Sequence, residues 1–453
     1  MSPILRRGTA VALSCAFAAS LPRWLPRSVI ALRMRIFTRI NGEEGIEIPG
    51  PLVEAGHFKE VYSHPAANGR SRGAGLSDLF WYWLSPGAEV HQEHLEPGAR
   101  YEEVARTTRH ILSLRAPEIE ALAVRYTAAT CSKIGGPFPR TVRLRDLMMA
   151  IWAGLFSEVV FGQPCSPALH ELIVANADDV VTALKACGLR HMERRGRLTE
   201  YIVDHLDEVP HPLPTSLSRA EQALYLQGTF FNTAVVQMSE AMAHLLMVLA
   251  RHQEIQAQLA DNADDRRLLD HVMDETMRLY PLFGMAHRIT SDDITVDDGT
   301  TLPAGSVLCF NYPDFHKSGL EDPERFDHHR WERQAAKDAN HIPFGVAANR
   351  PCPAWHLAPI AMRAATSELL RHFTLYSSAA HTRSLPNRGP CVLVPRSASA
   401  CRGVSVSLAA MRLRDRWEGV WRSLVQLVLG SYMVWDARRQ RLCQRYFDMG
   451  EVN

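Results

Sequence analysis

His341 to Ala358 reads HIPFGVAANRPCPAWHLA, and its single cysteine decides how the rest of the chain is read. Cys352 stands between two prolines, two residues after Arg350 and just before WHLAPIAMRAATSELLRHF, whose apolar spacing predicts a helix. A thiolate ligand there gains from backbone N–H groups and from the positive end of a helix. A guanidinium two residues away can pair with an anionic cofactor group. Three other readings compete. A lone loop cysteine is most often inert. Cys352 and His356 could be half of a zinc site, but no second pair with finger-like spacing accompanies them. A Cys–His nucleophile lacks an orienting third group.

Two stretches upstream bear on the choice. DETMRLYP (274–281) carries Glu275-x-x-Arg278, a carboxylate and a guanidinium on one helical face among apolar neighbours. Such a pair, once buried, needs further partners, and arginine serves several acceptors at once. EDPERFDHHRW (321–331) holds Arg325 in a proline-led loop, a candidate third member of that cluster.

The chain around these motifs is ordinary and globular. It has 453 residues, 46% of them apolar, and fifty basic against forty-nine acidic side chains. That balance excludes a strongly basic nucleic-acid surface. Nine cysteines without a C-x-x-C pair read as reduced, cytoplasmic usage. Helical periodicity runs from Arg100 to about Phe161. A turn-rich segment ending in Ser218 caps a long central helix that is apolar on nearly every face. DRRLLDHVMDETMRLYP is a helix stopped by Pro281, and DDITVDDGTTLPAGSVLCFN reads as short strands. The sequence predicts many helices, a little sheet late in the chain, and one buried helix in the middle.

In this order and spacing the three motifs resemble the cytochrome P-450 family of haem-thiolate monooxygenases. The resemblance covers residues 100 to 398 and is sharpest from Glu275 to Phe373. It implies a mainly α fold, an α-helical haem domain with a small β region, and extra helical segments at both ends. The segments are 1–34 (apolar and basic), 35–398 (haem domain) and 399–453 (helical extension). By resemblance, Cys352 is the proximal iron ligand of haem b, with Phe344 in its loop. Arg350, His287 and Arg288 lie at the haem propionates, His94 is a candidate haem contact, and Glu275, Arg278 and Arg325 form the core cluster. The resemblance also implies molecular oxygen as co-substrate and a hydrophobic small molecule, a specialised metabolite, as substrate. Electrons would come from NAD(P)H through a ferredoxin and its reductase, docking where Arg333 and Lys337 lie. Phe230, Phe231 and Phe283 are expected as pocket or core walls.

The sequence departs from the family pattern at several points. Phe344 lies eight residues before the cysteine rather than seven, and Ala348 and Ala354 replace glycines. Counting back from Arg251, the oxygen-activating A-G-x-D/E-T falls on Thr233-Ala234-Val235-Val236-Gln237. The acid–alcohol pair is missing. Thr233 and Gln237 would then share a water, or the substrate's own hydroxyl would serve. Gln237 as a core amide bonded to a carbonyl is the plainer expectation. Peroxide use, a non-oxygenating haem reaction, or a haem-binding partner protein without turnover are the alternatives. Segment 162–217, where the lid helices fall, is short.

The two ends raise the question of membranes. TAVALSCAFAASL (9–21) after Arg6-Arg7 is too short to span a bilayer. It reads first as a helix lying on the domain or as an early start ahead of Met34, with a weak membrane anchor or an export signal as alternatives. Trp417, Trp421, Leu424, Val428 and Trp435 share one helical face. The plain expectation is a helix packed on the domain, with docking to a membrane or partner as the alternative.

Overall fold

The structure is a computed structural model and describes residues 3–262, 266–282, 284–297, 299–380, 387–397 and 403–450. Its helices are α1 (Pro3–Glu44), α2 (Phe58–Ser63), α3 (Gly75–Leu84), α4 (Ala99–Ile111), α5 (Ala116–Ile134), α6 (Leu144–Phe161), α7 (Pro167–Leu184), α8 (Met192–Asp204) and α9 (Arg219–Leu226). There follow α10 (Val235–Arg251), α11 (Gln253–Asp261), α12 (Arg266–Leu279), α13 (Tyr312–Lys317), α14 (Arg330–Arg333), α15 (Leu357–His372), α16 (Val404–Gln440) and α17 (Leu442–Gly450).

The strands are β1 (Gly45–Ile48), β2 (Arg140–Arg143), β3 (Met285–Ile289), β4 (Ile294–Thr295), β5 (Thr301–Leu302), β6 (Val307–Asn311), β7 (Phe373–Tyr376) and β8 (Pro390–Pro395). They make sheets of order β1-β6-β3 and β2-β8-β7, and a β4-β5 pair. The mainly α reading therefore holds. The sheet is not confined to the late part of the chain: β1 runs parallel to β6, and β2 antiparallel to β8, across more than two hundred residues. Four-residue strands such as RTVR carry no period-2 signal that could have announced them.

Local chemistry explains the main boundaries. Ser218 accepts from the Glu221 N–H, while Glu221 reaches back to the Ser218 N–H, a reciprocal cap that starts α9. Ser166 caps α7, with Pro167 in the first turn, where its missing N–H costs nothing. Gly162 ends α6 in the left-handed region (φ 67°), and a Cβ there would meet the Pro210 ring at 2.9 Å.

The central helix is interrupted. Between α9 and α10, Gln227–Ala234 winds as a π turn. Residues 219–251 are long and apolar enough to cross a membrane, but the apolar window is 83% buried inside the protein, as a core helix should be. Around α10 pack α6, α7, α12 and α15, with α5 against α6 and α15, joining one large apolar core. Phe230 and Phe231 are fully buried walls of that core; Phe283 lies outside the described residues. A second, aromatic core joins α2 to β6 and α13, where Phe58 stacks on Phe315 at 3.9 Å and the Tyr62 and Tyr312 hydroxyls lie 2.9 Å apart.

Candidate haem-thiolate site

The cysteine loop is held by its backbone. The Cys352 N–H donates to the Phe344 carbonyl (2.9 Å), closing the loop on itself. Gly345 takes φ 74° and Arg350 φ 51°, a left-handed conformation that costs a residue with a Cβ. Asn349 is buried and donates from Nδ2 to the carbonyls of Tyr62 and Ala67 (both 2.8 Å), pinning the loop to α2. Phe344 and Ala354 lean on the main core.

Burial pushes the Cys352 thiol up to about 11, against the Ala354 N–H, which favours the thiolate. The residue as a whole is nonetheless only half-buried. A corresponding opening lies along the central helix. Thr233, Ala234 and Gln237 keep accessible surface, while Val235, Val236 and Met238 beside them are sealed. A space must open onto that face of the helix.

Four cationic or imidazole side chains near the loop, three of them buried and Arg350 half-buried, carry buried donors to spare. Arg350 Nη1 donates to the carbonyls of Gln92 (3.1 Å) and Leu95 (2.7 Å), and its guanidinium lies 3.7 Å over the Tyr101 ring, while Nη2 has no partner. Arg288 Nη2 donates to the Tyr62 hydroxyl (2.8 Å) and leaves Nε unpaired. Arg70 leaves Nε unpaired and has Nη1 only within 4.0 Å of the Glu93 carboxylate, and His94 leaves Nδ1 unpaired. Buried unpaired donors are costly, so this set fits the two carboxylates of a haem. Among the described residues no trio of His, Cys, Asp or Glu gathers elsewhere for a metal ion.

Residues 218–401 match the family model described as Cytochrome P450. A six-coordinated cytochrome P450 from Thermus thermophilus superposes with a TM-score of 0.57 at 18% identity, covering 75% of this chain and 91% of that one. A zebra fish cytochrome P450, in a structure with progesterone, gives 0.61 at 16%, covering 76% and 92%.

The chain has the cytochrome P450 fold, and its residues 218–401 carry that family's sequence pattern.

Among curated P450s, mouse cytochrome P450 3A13 is 29% identical over 30% of this chain and 31% of its own length. Cyclooctat-9-en-7-ol 5-monooxygenase of Streptomyces melanosporofaciens is 34% identical over 17% of this chain and 18% of its own. The matched stretch thus spans under a third of the length of these relatives.

Within this P450 fold several expected residues take other places. Arg325 is exposed and offers Arg278 only its carbonyl (3.3 Å). The buried guanidinium beside Glu275 is that of Arg330, with Nε 3.7 Å from the carboxylate. Glu275 is otherwise saturated by Arg278 (2.8 and 2.9 Å) and the Asp327 N–H (2.9 Å). His287 and Arg288 point to opposite faces of β3, as neighbours on a strand must. His287 turns to α3, contacting Ser77 Oγ (3.1 Å) and the Phe80 ring (5.4 Å), and so leaves Arg288 on the loop side.

Gln237 forms no hydrogen bond among the described residues, so it is not a satisfied core amide. The Thr233 hydroxyl is already engaged on two sides, which leaves one lone pair for a water shared with Gln237. It donates to the Gly228 carbonyl five residues back (2.8 Å) and accepts from His91 Nε2 (2.8 Å). His91 Nδ1 accepts the Glu93 N–H (3.2 Å), which fixes a neutral Nε2–H tautomer. His91 and Arg70 are the residues sequence reasoning missed. His91 shares its motif with His94, and nothing local distinguishes Arg70. Arg333 is engaged with Asp327 (2.7 Å), and the Lys337 side chain lies outside the described residues.

Burial lowers His287 to about 4, so the folded protein holds it neutral where the unfolded chain, at about 6.5, takes up a proton. Its folded pKa is depressed, so its contribution is complete above pH 6.5 and is lost as pH falls toward 4. His91 and His94, also lowered by burial, act in the same direction. Denaturant midpoints measured from pH 7 to 4 are expected to fall, and to fall less in His287→Phe; equal slopes would refute the assignment.

Proposed function

We propose that this chain is a haem-thiolate monooxygenase that oxidises a hydrophobic small molecule. The observation that carries the reading is the set of unpaired buried donors on Arg70, Arg288, Arg350 and His94 around the loop of Cys352. Arg288, Arg350 and Arg70 would hold the haem carboxylates, and Cys352 would ligate the iron. When bound, the haem would supply activation of molecular oxygen, the thiolate favouring O–O cleavage.

The chain's own residues do the rest. Valine at 236 cannot titrate, but His91 Nε2–H and Thr233 Oγ form a proton couple beside the open face of the central helix. We assign proton delivery to that couple, with the unpaired Gln237 amide orienting water in the same space. The substrate is apolar because the accessible face of the helix carries Ala234 and the uncharged Thr233 and Gln237 rather than charge. The Streptomyces relative, whose name specifies an alcohol substrate, supports a specialised metabolite. Electrons would come from NAD(P)H through a ferredoxin and its reductase.

The test compares turnover driven by a ferredoxin system with turnover driven by hydrogen peroxide, which brings its own protons. His91→Phe is expected to lower product per NADH on the order of a hundredfold in the first system and to spare the second, with the substrate-induced spin-state shift unchanged. Equal losses in both would remove His91 from proton delivery. Parent protein that binds haem but turns over in neither would be a haem-binding partner, and the monooxygenase reading would fall.

A further inference from the structure

The long helix α16 does not bury the face that its sequence marks as apolar. α16 packs on the domain through Met411, Gly419, Val420, Gln426, Met433 and Ala437. Trp417, Trp421, Leu424, Val428, Tyr432 and Trp435 all point outward, Trp421 66% and Val428 67% exposed. The helix packs on the domain as expected, but through a face other than the aromatic one, with Gly430 close against Ala186. From Trp417 to Trp435 the strip is roughly 27 Å long at 1.5 Å per residue. α1 lies along α16 and exposes Leu13, Phe17, Trp24, Leu32 and Ile36.

The charge around the strip has one sign. Every exposed residue of α16 is uncharged or arginine. Arg412, Arg414 and Arg416 precede the strip, and Arg438 and Arg439 follow it. The acids of this helix are turned aside: Asp415 and Glu418 to Arg143, and Asp436 to Tyr82 and Arg439. Seven arginines and no acid lie in the first forty-two positions, so the rest of the chain, whose total net charge is +1, carries six negative charges in excess.

We propose that the α1–α16 face is a docking surface for an anionic lipid membrane, on which α16 lies flat. Tryptophan and tyrosine between arginine-rich ends suit the headgroup boundary, where aromatic rings sit half-wet and guanidinium groups meet lipid phosphates. An acidic protein partner would answer the arginines but would leave an apolar strip of this length uncovered. A second copy would set the arginine clusters of two chains against each other. Among the described residues α16 does not qualify as a span, so the contact is peripheral. The proposal does not rest on the haem reading.

The full chain is mixed with phosphatidylcholine vesicles and with vesicles containing an equal part of phosphatidylglycerol, and bound protein is read by flotation. Quenching of tryptophan emission by brominated acyl chains gives the depth of contact. At least tenfold stronger binding to the anionic vesicles is expected, with quenching. W421E/V428E, both exposed positions, should lose binding at least tenfold with an unchanged circular dichroism spectrum and melting temperature. R412Q/R416Q should lose the preference for anionic lipid. Absence of binding to either vesicle, or equal binding by W421E/V428E, overturns the proposal. So does a concentration-dependent dimer that W421E/V428E dissolves while vesicles are ignored, which would assign the face to a second copy.

Discussion

Cys352→Ser is expected to leave a folded protein that no longer gives the long-wavelength Soret band of a thiolate-ligated haem when reduced and exposed to carbon monoxide. The loop should survive, because what closes it are backbone and Asn349 hydrogen bonds that do not involve the sulfur. The spectrum should not survive. Burial already holds the thiol at about 11, so the iron must draw off the proton, and a serine hydroxyl titrates far higher and is a harder donor. The other described cysteines lie elsewhere, Cys309 within β6 and Cys391 within β8, for example, where both are buried. Melting of parent and variant without haem should agree within about 1 kcal/mol. A band that persists in Cys352→Ser would move the ligand to another residue and dissolve the site.

Glu275→Ala is the second large effect, and it concerns stability. Glu275 and Arg278 have side chains 0% and 1% exposed. Removing the carboxylate strands the guanidinium of Arg278, and that of Arg330 beside it, in a low-dielectric interior. A broken buried pair of this kind costs about 3–5 kcal/mol, equivalent to a melting temperature lower by on the order of 10 °C. Arg325→Ala is the internal control: its side chain is exposed, so the change should stay within about 0.5 kcal/mol. Equal destabilisation by the two substitutions would return the role to Arg325.

Those two residues also show how far the sequence could be read. Glu275 and Arg278 lie three apart on one helix, so their pairing is a matter of local geometry and was legible. Which of Arg325 and Arg330 approaches them depends on how the loop between α13 and α14 folds back, and nothing in PERFDHHRW ranks its two arginines. The same limit applies at the site. Cys352 announced itself through its motif, but His91 reaches Thr233 across 142 positions, and only the packing of the chain beneath the central helix joins them. Ser218 and its capping glutamate were readable because both partners sit within one turn. On α16 the period was legible and its direction was not, since periodicity reports that a face exists and not what covers it.

The π turn at Gln227–Ala234 has a consequence for how this helix tolerates change. A π turn takes up one residue more than an α turn, so α9 and α10 are two rods set out of phase by a single residue. Thr233 needs that slip to reach the carbonyl of Gly228, five positions back, while still meeting His91. Removing one residue here would heal the helix into a uniform rod of lower backbone strain, and would swing the Thr233 hydroxyl through about a hundred degrees. Smoothness and chemistry are therefore opposed within these eight residues, and the irregular form is the one that keeps the hydroxyl facing the histidine.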